Sequence, residues 1–210
     1  MIIEKIERKG SLMVITCDNG EMIRLPRAVM REHPLREGQL LDIDGYYQLS
    51  ERTMYQKALE RAVWWLSKKD HSEKQLMMKL TDSAFTEESA ARACDFLKAG
   101  NYLNDDRLSE NLVRQKQRAS GPRKIAYTLR QKGVGEETAK AALEAISQDD
   151  EMETAVKLAR KYLSGKRFEP REARQKCGAY LARRGFGWDV IKAACQRAGA
   201  DEDDDDDDFE

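Results

Sequence analysis

Two adjacent carboxylates near the middle of the chain are the residues best placed to do chemistry. Asp105 and Asp106 follow Asn104 in the segment NYLNDDRLSE, residues 101–110. Paired carboxylates can bind a divalent cation or exchange protons with a substrate. A metal site needs further ligands, and the sequence has no D-x-D-x-D-G loop and no H-E-x-x-H. A helix start explains the segment better, because Asn104 can cap a helix whose electropositive first turn then holds both acids.

The other residue types that catalyse reactions or bind metals are few and scattered. The four cysteines form no C-x-x-C pair, and there are only two histidines. These residues are Cys17, Cys94, Cys177, Cys195, His33 and His71. Neither of the glycine-rich patterns G-x-x-x-x-G-K-[ST] and G-x-G-x-x-G occurs. We therefore expect a protein that is not an enzyme and that has no catalytic residue, no cofactor and no metal site.

Composition favours a helical protein with an anionic partner. Charged residues make up 36% of the 210 residues and aromatic residues 7%, and there are four prolines. The last ten residues, DEDDDDDDFE, hold nine acids, so residues 1–200 carry 37 Lys and Arg against 29 Asp and Glu, a net charge of +8. We expect residues 200–210 to be a disordered acidic tail on a basic body.

The sequence shows no feature of export or membrane insertion. The start, MIIEKIERKG, is charged throughout and contains no apolar signal region. Later apolar runs fall short of the ~18 residues that span a bilayer. We expect a reduced, cytoplasmic monomer that does not contact membranes.

The first 50 residues show the two-residue period of strands. SLMVITC and EMIRL flank Asp18-Asn19-Gly20, where Asn-Gly favours a type I′ hairpin turn. LLDI and YYQL flank Asp44-Gly45 and predict a second hairpin. Between the hairpins, Pro26 can open a short helix through RAVMREH that ends before Pro34. The prediction is a small, mostly antiparallel β module over residues 1–50, shaped as a compact barrel.

From Arg52 onward the apolar period is that of helices, and the sequence repeats. Leu80, Leu129 and Leu181 occupy the same position in copies spaced about 50 residues apart. Other positions recur in register: Leu76, Ile125 and Cys177; Phe85, Val134 and Phe186; Ala93, Ala142 and Ala194. We predict a mainly α protein of three tandem three-helix repeats. The predicted repeats span residues 52–100, 101–148 and 149–199.

Helix boundaries are clearest in the second copy. One helix is predicted from about Asp105 to Arg118, and the next from Gly121-Pro122 to Lys132. Gly133 then closes that helix in the left-handed conformation, and Gly185 repeats the stop in the third copy. The last helix of each copy follows a connector at Thr86, Gly135 and Gly187.

Trp64 and Trp65 raise the possibility of base stacking. They lie in a helical stretch, and adjacent residues differ by about 100° around a helix, so one ring can face the core while the other is exposed. We predict that both pack in the core or against a neighbouring repeat.

Basic residues concentrate around the middle helix of the second and third copies. The segment RQKQRASGPRKIAYTLRQKG, from Arg114 to Gly133, contains no acid. A single basic cluster is explained by an exposed helix face in contact with water. Because such clusters recur in successive copies, a positive surface that binds phosphates or an acidic groove of another protein is the better explanation. The candidate binding residues are Arg114, Lys116, Arg118, Arg123, Lys124, Arg130, Lys132, Arg171, Arg174, Arg183 and Arg184.

Three segments resemble the RecX family of recombinase regulators: HSEKQLMMKL, AGNYLNDDRLSENLVRQK and GPRKIAYTLRQKGV. The matching positions include Ser72, Leu76 and Leu80, then Tyr102, Leu103, Asn104 and Asp105, then Gly121, Leu129, Lys132, Gly133 and Val134. The resemblance covers about residues 55–199 and weakens in the third copy. The β module before residue 50 and the acidic tail depart from the family pattern.

The resemblance implies a non-enzymatic protein shaped as an elongated, curved array of three-helix repeats. Family members bind the filament that RecA forms on single-stranded DNA, and are thought to lie in its groove. There they modulate, mostly by inhibition, ATP hydrolysis, strand exchange and co-protease activity. This implies a role in homologous recombination, DNA repair and the SOS response.

Two other classes of function stay open. The protein could bind nucleic acid without a recombinase, using its basic three-helix modules as phosphate-gripping readers; its affinity would then fall steeply with salt. An enzyme that uses Asp105 is the third class, and it lacks a converging site.

Overall fold

The computed structural model describes residues 1–165 and 168–199. It confirms a mainly helical chain that follows a small antiparallel sheet. The chain divides into two compact units, Met1–Asp105 and Asp106 onward. The predicted acidic tail, residues 200–210, lies outside the described residues.

The sheet has three antiparallel strands in the order β1-β2-β3. The strands are β1 Ile3–Lys9, β2 Leu12–Cys17 and β3 Met22–Pro26. Ile15 of β2 pairs with Ile6 on one side and with Ile23 on the other. Ile15 and Leu25 are fully buried on the face that turns toward the helices. The prediction of antiparallel strands is confirmed, but the strands form an open sheet rather than a barrel.

The turn between β2 and β3 differs from the predicted type I′ turn. Among its residues only Gly20 has a positive φ, 80°. The N–H of Gly20 donates to the carbonyl of Cys17 at 2.9 Å, and the N–H of Cys17 donates to the carbonyl of Glu21 at 3.0 Å. The loop therefore holds three residues, and a type I turn followed by a left-handed glycine closes it.

The second predicted hairpin is wrong, because its residues begin a long helix. After the short helix α1, Arg27–Glu32, which Pro26 precedes as predicted, the helix α2 runs over Ile43–Leu66. Asp42 caps α2, since its Oδ1 accepts a hydrogen bond from the N–H of Gly45 at 3.2 Å. The boundary predicted at residue 50 falls inside this helix.

The sheet and the first three-helix repeat share one hydrophobic core. Helix α2 packs against α3, Glu73–Asp82, and α4, Glu87–Ala99. The core joins residues of the sheet and of all three helices, among them Ile15, Leu25, Met54, Leu76 and Leu97. The first unit therefore has one interior rather than a separate module and repeat.

The second unit holds the other two repeats, each with its own core. Its helices are α5 Asp105–Lys116, α6 Pro122–Gln131, α7 Glu136–Glu144, α8 Gln148–Leu163, α9 Pro170–Arg183 and α10 Trp188–Arg197. Leu112, Ile125 and Leu129 belong to the second-repeat core, and Leu181 and Phe186 to the third. Leu80, Leu129 and Leu181, which predicted the repeat, are all fully buried.

The predicted glycine stops are confirmed. Gly133 and Gly185 follow α6 and α9 with φ of 78° and 87°. In the first repeat the equivalent residue is Ala84, which adopts φ 63° without being a glycine. All three repeats therefore end the middle helix with a residue in the left-handed conformation at the equivalent position.

Within residues 1–165 and 168–199, no helix has both the length and the apolar character needed to cross a membrane.

Candidate nucleic-acid and partner interface

The doubled acid begins a helix, as predicted, and one of its members also caps a second helix. Helix α5 starts at Asp105, and Oδ1 of Asp105 accepts a hydrogen bond from the N–H of Glu73, the first residue of α3, at 3.0 Å. The side-chain amide of Asn104 donates to that of Asn101 at 2.8 Å. Within residues 1–165 and 168–199, no group of three or more His, Cys, Asp or Glu side chains could hold a metal.

Two of the buried thiols are poor nucleophiles. Burial raises the pKa of the Cys94 thiol to about 11, and burial also raises the pKa of Cys17. A thiol whose pKa lies above neutrality stays protonated and reacts slowly. A hydrogen bond from Cys195 lowers the pKa of Cys177, but both residues are buried between α9 and α10. The cysteines of the chain thus serve packing.

The two tryptophans of α2 have different surroundings. Trp65 is half-buried against the core of the first unit, with the Nζ of Lys79 at 4.8 Å from its ring centre. Trp64 is 52% exposed. The prediction that both rings pack in the core or between repeats is therefore wrong for Trp64, because the 100° step around the helix turns it outward.

All eleven predicted binding residues lie in the second unit. They occupy the end of α5 and its connector, both ends of α6, and both ends of α9. Eight are exposed: Arg114, Arg118, Arg123, Lys124, Arg130, Arg171, Arg174 and Arg183. Lys116, Lys132 and Arg184 are half-buried.

Helix α6 separates its apolar and basic residues cleanly. Ile125 and Leu129 are fully buried in the second-repeat core, four residues apart on one face. Lys124 and Arg130 flank this stripe and are exposed. The bases of α6 therefore contribute to the surface of the unit rather than to its interior.

A backbone contact brings the start of α6 against the end of α9. The N–H of Gly121 donates to the carbonyl of Arg184 at 2.9 Å, and the N–H of Arg123 donates to the carbonyl of Gly185 at 3.1 Å. We call this contact the glycine junction. It joins the basic segment from Arg114 to Gly133 to a second basic segment, from Arg171 to Arg184, although the two are far apart in sequence.

Two glycines permit this approach. A Cβ on Gly121 would lie 2.5 Å from the carbonyl oxygen of Gly185, and a Cβ on Gly185 would lie 2.4 Å from the backbone nitrogen of Lys124. Real side chains do not approach backbone atoms so closely. Sequence reasoning assigned Gly121 and Gly185 only to helix ends, because no local pattern records a contact between distant segments.

Arg184 helps to hold the glycine junction. Its Nη1 donates to the carbonyl of Ala119 at 2.9 Å, and its guanidinium lies 5.1 Å from the ring centre of Tyr180. Arg184 is thus engaged within the protein, whereas Arg183 beside it is exposed.

One acid lies close to the basic residues of the glycine junction. Burial raises the pKa of the Glu151 carboxyl on α8, while a hydrogen bond from the backbone of Gly187 and the charge of Arg123 act in the opposite direction. Arg123 therefore has an acid nearby, and it is exposed like Lys124, Arg118 and Arg183.

The fold and the basic surface together define a protein of tandem three-helix domains behind a small sheet. Sequence models of the first, second and third three-helix domains of RecX match residues 58–97, 104–143 and 149–195. The chain belongs to the RecX family of regulatory proteins.

Relatives match along nearly the whole chain. The regulatory protein RecX of Clostridium perfringens (strain SM101) is 30% identical over 203 residues, which cover 95% of this chain and 96% of that protein. The regulatory protein RecX of Clostridioides difficile (strain 630) is 31% identical over 193 residues, 90% of this chain and 91% of that one. The first of these alignments leaves out only about 5% of this chain, so it extends over residues that form the amino-terminal sheet, contrary to the expectation that this segment departs from the family pattern.

A solved structure confirms the fold. A crystal structure of regulatory protein RecX superposes with a TM-score of 0.65 at 26% identity, over 93% of this chain and 100% of that one.

Proposed function

We propose that this protein binds the filament formed by RecA on single-stranded DNA and lowers its ATPase, strand-exchange and co-protease activities. It acts in the cytoplasm as a monomer, by binding rather than catalysis, and without a cofactor. Membership of a regulatory family supports the proposal, as does the basic surface of the second unit.

The observation that carries the proposal is the glycine junction. It holds the first turn of α6 beside the last turn of α9, so that exposed Arg123, Lys124 and Arg183 come from two repeats yet share one region. A nucleoprotein filament presents phosphates and acidic side chains, and a surface of clustered, exposed bases is complementary to both. Backbone hydrogen bonds position this surface before any partner is bound.

The proposal is tested by the ATPase of RecA on single-stranded DNA, with and without the full-length protein. We expect turnover to fall as the protein is added at substoichiometric to equimolar amounts. Unchanged turnover over a wide concentration range, with folding verified by circular dichroism, would contradict the proposal.

A charge-reversal variant tests whether the basic surface makes the contact. Replacing Arg123, Lys124, Arg130 and Lys132 with Glu should impair inhibition while leaving helicity unchanged. The matched control replaces four exposed lysines outside the two basic segments, Lys140, Lys157, Lys161 and Lys192, with Glu. If both variants lose inhibition equally, net charge is responsible rather than this surface; if neither does, the interface lies elsewhere, and Arg171 and Arg174 are tested next.

Stand-alone binding to nucleic acid is the alternative that the same surface allows. Its affinity for single-stranded DNA without RecA would then fall steeply with salt. The logarithm of the binding constant would decrease linearly with the logarithm of the salt concentration, with a slope of about 0.7 per phosphate contacted. Tight recombinase-free binding together with an unaltered RecA ATPase would favour this alternative.

A further inference from the structure

A groove in the first unit is lined by bases that play no part in the surface described above. It lies between the β1-β2 turn at Gly10, helix α1 and the carboxyl-terminal half of α2, and has a volume of about 480 Å³. Arg27, Arg31, Lys57 and Arg61 line it, with Glu60 as the only acid among its lining residues. The groove is therefore electropositive.

The charge of this groove is only partly neutralised. Nζ of Lys57 lies 3.2 Å from Glu60 and 3.3 Å from Glu32, so that base is paired. Arg27 and Arg31 form no ion pair with any other residue in 1–165 or 168–199. Two guanidinium groups thus lie at the groove without an internal partner, and guanidinium is well suited to phosphate.

Trp64 lies at the edge of the same groove. The guanidinium of Arg61, one turn before it on α2, and the Nζ of Lys68, just past the end of α2, each lie 5.9 Å from its ring centre. Half of the residue nevertheless remains exposed. Large aromatic rings are usually buried, so an exposed indole bordered by cations is an unusual surface for a protein to leave open to water.

We propose that this groove binds single-stranded DNA, with an unpaired base stacked on Trp64 and neighbouring phosphates held by Arg27 and Arg31. An aromatic face beside uncompensated bases is the combination that recognises single strands, because only an unpaired base offers its face for stacking. The choice of occupant rests on the proposed function, which places the protein beside single-stranded DNA. The groove adds a DNA site to the first unit, separate from the basic surface of the second.

Fluorescence tests the stacking directly. The chain has three tryptophans, so the variant Trp65→Phe/Trp188→Phe leaves Trp64 as the only indole. Titration of this full-length variant with oligothymidylate, without RecA, should quench its fluorescence as stacking occurs. Binding detected by anisotropy of a labelled oligonucleotide, but without quenching, would overturn the stacking role of Trp64.

Affinity measurements use matched controls. Trp64→Ala should weaken oligothymidylate binding about tenfold, within the range measured for one stacked base, and Trp64→Phe should retain most of the affinity. Trp188→Ala is the control, because Trp188 is also exposed, at 71%, but does not line the groove. Arg31→Ala should weaken binding and reduce its salt dependence, whereas Arg24→Ala, on the exposed side of β3, should not.

The two proposals fail in different ways. If the protein inhibits RecA but Trp64→Ala and Arg31→Ala bind oligothymidylate like the unmodified protein, the groove is not a DNA site while the regulatory role stands. If these variants lose inhibition but keep DNA affinity, the groove binds protein, and the inference is overturned. If RecA is unaffected but Trp64 is quenched, the DNA site stands and the regulatory role fails.

Discussion

Asp105 contributes to two helices at once. It is the first residue of α5, and its carboxylate also accepts the N–H of Glu73 at the start of α3. A negative charge is favourable at both positions, because each helix start carries a partial positive charge. Asp106 beside it is exposed in the first turn of α5. Both acids therefore have a structural role, and Asp105 should contribute more to the stability of the fold than Asp106.

Replacing each acid by alanine measures its separate contribution to the free energy of unfolding. Asp105→Ala should lower the free energy of unfolding by about 1–2 kcal/mol, since it removes a capping acceptor between two helices. Asp106→Ala should cost only about 0.3–1 kcal/mol, because it removes an exposed dipole interaction. Urea denaturation of the full-length variants measures both. Equal losses would contradict the role of Asp105 as a cap of α3.

At the scale of elements, the glycine junction couples the ends of α6 and α9. Its hydrogen bonds run from backbone to backbone, so their geometry leaves no room for a side chain at Gly185. The φ of 87° at this residue adds a second requirement for glycine.

Gly185→Ala should therefore be strongly destabilising. A Cβ placed 2.4 Å from the backbone of Lys124 must displace one of the two helices, and the left-handed conformation adds strain. Overpacking and backbone strain together should cost about 2–4 kcal/mol. The control is Gly178→Ala in the interior of α9, where the nearest atom is Ile191 Cγ2 at an ordinary 3.7 Å. Gly178→Ala should leave the free energy of unfolding unchanged or raise it by up to about 1 kcal/mol. Chemical denaturation should therefore show a large loss of stability for Gly185→Ala and none for Gly178→Ala. Equal losses would contradict the role of the glycine junction.

The sequence predicted an element correctly where several independent patterns, such as helical periodicity and repeat register, indicated the same structure. Leu80, Leu129 and Leu181 repeat in register within helical periodicity, and all three are buried. Asp44-Gly45 was misassigned to a turn because the same residues suit the first turn of a helix, where Asp42 caps the N–H of Gly45. Only the helical spacing of buried Tyr46, Ser50 and Met54 further along decides between the two.

The exposure of the basic residues could be predicted from the sequence, but the tertiary contact that brings their segments together could not. An acid-free basic segment such as 114–133 indicates exposed cations, and Arg123 and Lys124 are indeed exposed. Their approach to Arg183 depends on a tertiary contact between glycines, which no local periodicity records. The groove at Trp64 was missed for a related reason, since Arg27 and Arg31 come from a segment far from α2 in sequence.

At the scale of the whole molecule, the charge is divided between a basic body and an acidic end. Residues 1–200 carry a net charge of +8, and the last ten residues hold nine acids. A tethered anion is present at an effective concentration on the order of mM, enough to compete with weakly held phosphates.

Removal of residues 201–210 should tighten binding to bare single-stranded DNA. The effect should be larger at low salt than at high salt, because ions screen the tethered charge. Inhibition of RecA should change less, since protein contacts supply part of that affinity. Titration of both forms at two salt concentrations measures this; identical affinities at low salt would leave the acidic end as an aid to solubility.

The shared core of the first unit predicts how the chain can be divided. A fragment of residues 1–105 should fold with a cooperative thermal transition, whereas residues 51–105 alone should not, because Met54 and Leu76 would lose the sheet that helps to bury them. Circular dichroism of both fragments is the measurement. A cooperative transition in the shorter fragment would contradict the single core.

The same core bears on how this array can evolve. Tandem repeats usually gain and lose members by duplication or deletion of a block, since each block meets its neighbours through similar faces. The first three-helix repeat packs part of its core against the sheet. A copy of this repeat without the sheet would therefore expose those core residues to water. Duplication of the first repeat without the sheet would therefore be costly, whereas the second and third repeats, each with its own core, do not depend on the sheet for burial.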